Sequence, residues 1–115
     1  MNPRPLALGY LRLQPGDTPE AGDNLIADMH AYAEREGLCL ADVFTEGVDV
    51  PDERHGRSAF CALLDTLRRV DGHAVIIPSP DHLSRQPYSY RTRSMIIEVE
   101  AGARLLVMST AGTRP

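Results

Sequence analysis

The sequence predicts an α/β domain built on a mainly parallel, four-stranded sheet with helices on both faces. Three observations point to it. Short apolar runs alternate along the chain with segments whose apolar residues recur at helical spacing. The first and third runs are apolar on nearly every residue, the mark of strands covered from both sides. The length, 115 residues, suits one domain spanning 1–115 and leaves no room for a second of ordinary size.

The elements follow in order. Leu6 to Leu13 is a mostly apolar strand. Pro15, Gly16 and Pro19 interrupt the pattern. A helix is expected from about Asp23, its N-cap, to a stop at Gly37, with Leu25, Ile26, Met29, Tyr32 and Ala33 along one face. Leu38 to Phe44 is a second strand, and Thr45 to Gly56 a long, polar, acidic loop. Ser58 can cap a second helix that presents Phe60, Leu63, Leu64 and Leu67 and ends before Gly72. Ala74 to Ile77 is a short buried strand, and Pro78 to Gln86 a loop. Pro87 opens a third helix that runs to Ala101, buries Met95, Ile96 and Val99, and stops at Gly102. Arg104 to Met108 is the fourth strand, and residues 110–115 are a patternless tail expected to be disordered. The result is a Rossmann-like, three-layer arrangement with the first strand central, beside the second and third.

Composition excludes several chemistries. All 12 basic residues are arginine. Without lysine there is no Walker-type phosphate loop, no Schiff-base or PLP enzyme and no protein kinase. The net charge of −4 disfavours a free-standing DNA clamp, although it does not exclude a local arginine patch. Cys39 and Cys61 make neither a disulfide framework nor a zinc site and read as buried, reduced thiols. No secretory signal opens the sequence and no apolar stretch is long enough for a membrane span, so a bacterial cytoplasmic protein is expected. No cofactor is implied. Asp49, Asp52, Glu53 and His55 could bind a divalent metal, but they lack a ligand-spacing motif, and a solvated acidic loop with no metal is the preferred reading. His30 and His73 read as a helix-surface and a strand-edge residue without partners.

In a parallel sheet, sites form at the carboxyl ends of the strands. Here those ends carry Arg12 and Gln14, then Glu46, then the loop with Asp81, His82 and Arg85. Arg57 stands at the start of the second helix. Three arginines and an acid at one sheet edge suit a phosphate, through bidentate donation and free helix-start N–H groups, although surface ion pairs would use the same residues.

These residues carry a resemblance. Gly9-Tyr-Leu-Arg-Leu13 resembles the G-Y-x-R-V opening of the serine recombinases, the resolvase/invertase family. Phe44-Thr-Glu46 is similar to that family's F-x-E/D. Gly56-Arg-Ser58 followed by Leu63-Leu64 is similar to its R-P/K-x-x-x-x-L-L, Asp81-His-Leu-Ser-Arg85 to its D-R-L-G/S-R, and Gly102-Ala-Arg-Leu-Leu106 to its G-V-x-L. The five motifs cover residues 6 to 110 in the family's order. The resemblance implies a resolvase-type catalytic-domain fold. It also implies metal-free phosphoryl transfer, in which a serine hydroxyl attacks a DNA phosphate and arginines stabilise the developing charge. Arg12, Arg57, Asp81 and Arg85 match family active-site positions, and Arg12, Arg57 and Arg85 are the expected phosphate ligands.

Two departures shape the functional expectation. The family's nucleophile follows the first strand as Y-x-R-V-S, and here that position is Gln14. The arginine in D-R-L is His82. Neither Thr18 nor Ser84, the nearest hydroxyls, is an expected substitute. The sequence also ends without the family's long dimerising helix and helix-turn-helix domain. The leading expectation is therefore a catalytically inactive resolvase-like domain that binds phosphate or DNA weakly, or pairs with itself or another protein. A component of an active DNA recombinase complex is the alternative, and a small hydrolase on the same fold is the second. Leu105, Val107 and Met108 are expected to border an exposed apolar patch suited to such a partner.

Overall fold

In the computed structural model, which describes residues 4–47, 58–69 and 73–109, a four-stranded sheet organises the chain. Strands β1 (Leu6–Arg12), β2 (Cys39–Glu46), β3 (Ala74–Ile77) and β4 (Arg104–Val107) are all parallel, in the order β2-β1-β3-β4. Beyond β4, Met108 N–H donates to the Ile77 carbonyl at 2.9 Å and prolongs the ladder. The expected topology, with β1 central, is the one found.

Strand alternation distributes the core to both faces. Ala7 and Leu11 of β1 point to one side with Ala74 and Ile76 of β3, where helix α1 (Pro19–Arg35) supplies Met29 and Ala33. Leu8 and Tyr10 point to the other side with Val75 and Ile77. There helix α2 (Ser58–Arg69) adds Phe60, Leu63 and Leu67, and the C-terminal helices add Leu83 and Ile97. The crossover through α1 runs from β1 to the β2 edge, and the later crossovers return toward β3 and β4 on the opposite face. Right-handed connections require that change of face. Gly9 lets α1 come close: a Cβ there would meet Met29 Cε at 2.6 Å and Val43 Cγ2 at 3.1 Å.

Several boundaries differ from expectation. Helix α1 starts at Pro19, not near Asp23, with Thr18 as N-cap accepting from Ala21 N–H at 3.1 Å. Proline breaks a helix interior but fits N1, where its missing N–H has no intrahelical partner to lose. The C-terminus is as read: Gly37 (φ 74°) allows Leu38 N–H to reach the Ala33 carbonyl at 2.8 Å. Strand β2 continues through Thr45 to Glu46. The loop after β3 holds a one-turn helix, α3 (Pro80–Leu83), again opened by proline.

The last helix departs most. It comprises α4 (Pro87–Met95) and a π-helical turn, Ile96–Glu100, stopped at Gly102 (φ 69°). Its buried residue is Ile97, whereas Met95 and Val99 are exposed and Ile96 is half-buried. The contiguous Met95-Ile96-Ile97 leaves the phase of the apolar face undetermined by spacing alone. The cysteines are also exposed rather than buried. Cys39 lies on the edge strand, and Cys61 lies off the Phe60–Leu63–Leu67 stripe. His73 is buried at the start of β3, and its carbonyl accepts from Arg104 N–H at 3.3 Å. Leu105 and Val107 pack against one core cluster and Met108 against the other, each half-buried, with β4 at the edge of the sheet. Arg57, the acidic loop residues Asp49, Asp52, Glu53 and His55, and the tail 110–115 lie outside the described residues.

Candidate functional site

The carboxyl ends of β1 and β2 and the segment after β3 carry Arg12, Gln14, Glu46, Asp81, His82 and Arg85. Arg12 ends β1 and is the register partner of Glu46, which ends β2. Both are buried, at 5% and 1% exposure. One oxygen of Glu46, Oε2, accepts from the Tyr10 hydroxyl at 3.1 Å and from the Phe60 backbone N–H at 2.9 Å. The second bond uses an N–H in the first turn of α2, which no residue of the helix itself can satisfy. Glu46 thus caps α2 from a neighbouring strand and fixes where that helix starts. Tyr10 also meets Phe60 edge-on, with ring centroids 5.6 Å apart. The sequence places Glu46 at the carboxyl end of the second strand and in the F-x-E/D resemblance, but no local pattern signals that it caps α2.

His82 joins this end of the sheet from the α3 side. Its Nδ1 accepts from the Arg12 backbone N–H at 3.0 Å, across 70 positions of sequence. A backbone amide can only donate, so Nδ1 is unprotonated and the ring proton sits on Nε2. Burial and then the nearby Arg12 guanidinium lower the His82 pKa, with Asp81 and Asp17 opposing, so the ring is neutral at pH 7. The bond joins β1 to the segment after β3. These two strands feed helices on opposite faces of the sheet, so it lies at the topological switch point, where such folds place ligands.

Gln14 and Arg85 complete the arrangement nearer to solvent. The Arg85 guanidinium donates to Gln14 Oε1, and Gln14 Nε2 reaches the Arg12 carbonyl at 3.5 Å. Gln14 is itself held by a turn: its N–H donates to Asp17 Oδ2 at 2.7 Å, and Asp17 N–H returns a bond to the Gln14 carbonyl at 2.9 Å. Asp81 sits in the first turn of α3. The hydroxyls considered as substitute nucleophiles are placed structurally. Thr18 caps α1, and buried Ser84 accepts from Gln86 N–H at 3.0 Å. Arg93 secures the segment from behind, donating to the Leu83 carbonyl at 2.9 Å.

The group offers cationic and neutral N–H donors (Arg12, Arg85, His82) beside acidic residues (Glu46, Asp81). Such a set suits anion binding and offers no soft ligands for a metal. Among the described residues no three His, Cys, Asp or Glu side chains gather as a metal site. No helix among them is long and apolar enough to cross a membrane.

No family model matches the sequence, and no curated protein matches it. Solved structures do. The chain is similar to the C-terminal catalytic domain of ISC1926 TnpA, an IS607-like serine recombinase, at 20% identity and TM-score 0.75, covering 91% of this chain and 71% of that one. It is similar to the N-terminal catalytic domain of TP901-1 integrase at 19% identity and TM-score 0.70, covering 90% and 76%. A third match is the first open reading frame of transposon ISC1904 from Sulfolobus solfataricus P2, at 16% identity and TM-score 0.71, covering 95% and 71%. The parallel sheet, its strand order and its flanking helices together make this the fold of the serine recombinase catalytic domains.

Proposed function

We propose that this chain is a serine-recombinase-like domain that binds a phosphate-bearing partner, a nucleic-acid strand in the first instance, without cleaving it. The observation that carries this reading is the placement of Gln14. It stands where the family pattern has its serine, and its carboxamide is engaged by Arg85 and reaches the Arg12 carbonyl. Attack on phosphorus needs an oxygen that can lose a proton and form a stable ester, and an amide supplies none. The fold and the donor residues support phosphate binding, and the missing hydroxyl removes the covalent intermediate. Arg12, Arg85 and His82 are the proposed donors, and Arg57, next to Ser58 in sequence, is a further candidate.

The test has a chemical arm and a binding arm. In the first, the protein is incubated with supercoiled DNA, denatured, and examined for a protein–DNA covalent adduct. None is expected, and Gln14→Ser alone should not give efficient strand exchange while His82 replaces the family's arginine. An adduct from the unmodified chain would instead make it an active recombinase component, and metal-dependent turnover of a small phosphate ester would make it a hydrolase. In the second, a short single strand is titrated at rising salt. Arg85→Ala should weaken binding several-fold, since Arg85 is exposed and its loss leaves the core untouched. Arg12→Ala is the poorer probe, because Arg12 is buried beside Glu46. Binding unchanged in Arg85→Ala would overturn the proposal.

A further inference from the structure

The helix from Pro87 to Glu100 is held to the domain by one face. Ile97 is its buried side chain, and α4 itself buries none. The opposite face carries Tyr88, Met95 and Val99, exposed at 81%, 55% and 72%. Among the described residues these are three of the four large hydrophobic side chains left exposed. Thr92 lies between them, and its hydroxyl donates to the Tyr88 carbonyl at 3.1 Å, so it needs no outside partner. The spacing of the four positions, four, three and four residues, is that of a helix–helix packing seam.

Charge along the same helix says what would cover the seam. Arg91 in α4 and Glu98 in the π-helical turn are both exposed and flank the stripe. Arg91 and Arg93 occupy the first part of the helix, and Glu98 and Glu100 the last turn. That polarity opposes the helix dipole, which favours acids at the N-terminus and bases at the C-terminus, so the lone helix gains nothing from it. A second copy of the helix laid antiparallel reverses the polarity and sets Arg91 against the partner's Glu98. A parallel copy would set Arg91 against the partner's Ile96, five positions on, and bring no acid to it. An anionic lipid surface would call for a uniformly basic flank, which this helix lacks.

We propose that the Tyr88–Thr92–Met95–Val99 stripe is a homodimer face, on which two copies of this helix pack antiparallel about a two-fold axis. A two-fold makes every contact occur twice, so both ends of the seam close with an Arg91–Glu98 pair. The helix is about 21 Å long, and such a pairing covers less than a standard interface, so association belongs in the micromolar range.

Sedimentation equilibrium of the full chain, across low to high micromolar concentration, tests this. A monomer–dimer equilibrium is expected that Met95→Asp and Val99→Asp each weaken by about tenfold or more, with circular dichroism unchanged because both residues are exposed. Arg91→Glu and Glu98→Arg should each weaken it several-fold, and the double reversal should restore it. Four results would overturn the proposal: monomer at every concentration, a dimer indifferent to Met95→Asp, a double reversal weaker than either single change, or a monomer that binds anionic vesicles through this same stripe.

Discussion

Replacing Gln14 by alanine should tighten phosphate binding, although it removes a polar group from the candidate site. The Arg85 guanidinium is held by Gln14 Oε1, and an incoming phosphate oxygen must take that place. A buried charge-assisted hydrogen bond contributes about 1.5–3 kcal/mol, but Arg85 is exposed, and solvent screening brings the figure to about 0.5–1 kcal/mol. Releasing Arg85 should therefore improve phosphate affinity by about two- to fivefold. Stability should change by no more than about 0.5 kcal/mol, because Gln14 belongs to neither core cluster and its backbone turn with Asp17 survives the substitution. The assay is a titration of inorganic phosphate and of a short single strand, followed by the NMR shift of the Arg85 side-chain N–H. Gln14→Ala and Arg85→Ala should move affinity in opposite directions. If Gln14→Ala weakens binding, its carboxamide is a ligand rather than a competitor, and the reasoning fails.

Three further outcomes follow from the same geometry. Glu46→Ala takes the acceptor from the Tyr10 hydroxyl and the Phe60 amide and should cost about 2–5 kcal/mol in urea denaturation, with Glu46→Gln costing markedly less; a loss under about 1 kcal/mol for Glu46→Ala would contradict its capping role. The His82 pKa is lowered on folding, so below about pH 6.5 the unfolded chain takes up the proton first. The stability His82 contributes is then complete above that pH and falls as the pH drops toward the folded-state value, and His82→Gln should flatten this part of the pH–stability curve; parallel curves for the two proteins would refute it. Gly9→Ala places a methyl 2.6 Å from the flexible end of buried Met29 and 3.1 Å from Val43 Cγ2, and should destabilise by about 1 kcal/mol as Met29 shifts, which thermal melts would detect.

What the sequence made legible was set by apolar periodicity. The runs at Leu6–Leu11 and Ala74–Ile77 carry no charged residue because both faces of those strands are covered, and that pattern points to parallel topology and the central place of β1. Boundaries were less legible where proline was involved, since the residue that breaks a helix interior also opens α1, α3 and α4. The final helix was misphased for a different reason: Met95, Ile96 and Ile97 are all apolar, and only packing decides which one turns inward. In the candidate site, spacing and resemblance located Arg12, Gln14, Asp81, His82 and Arg85 at one sheet edge. The couplings that matter there span 70 and 71 positions, Arg12 to His82 and Gln14 to Arg85, and no local pattern encodes them.

The buried and exposed members of the site differ in how far the fold depends on them. Arg12 and Glu46 are buried register partners, and Glu46 ties β2 to β1 and α2, so substituting it disturbs the sheet and the start of a helix at once. Gln14 and Arg85 lie beyond the strand ends, outside both core clusters. Residues of that kind can change with little effect on stability, which is dominated by the packing of Tyr10, Leu11, Met29, Leu63, Ile76 and Ile77. A change at Gln14 is therefore one the scaffold tolerates, whereas a change at Glu46 is not. The fold depends least on the members of the group that lie nearest to solvent.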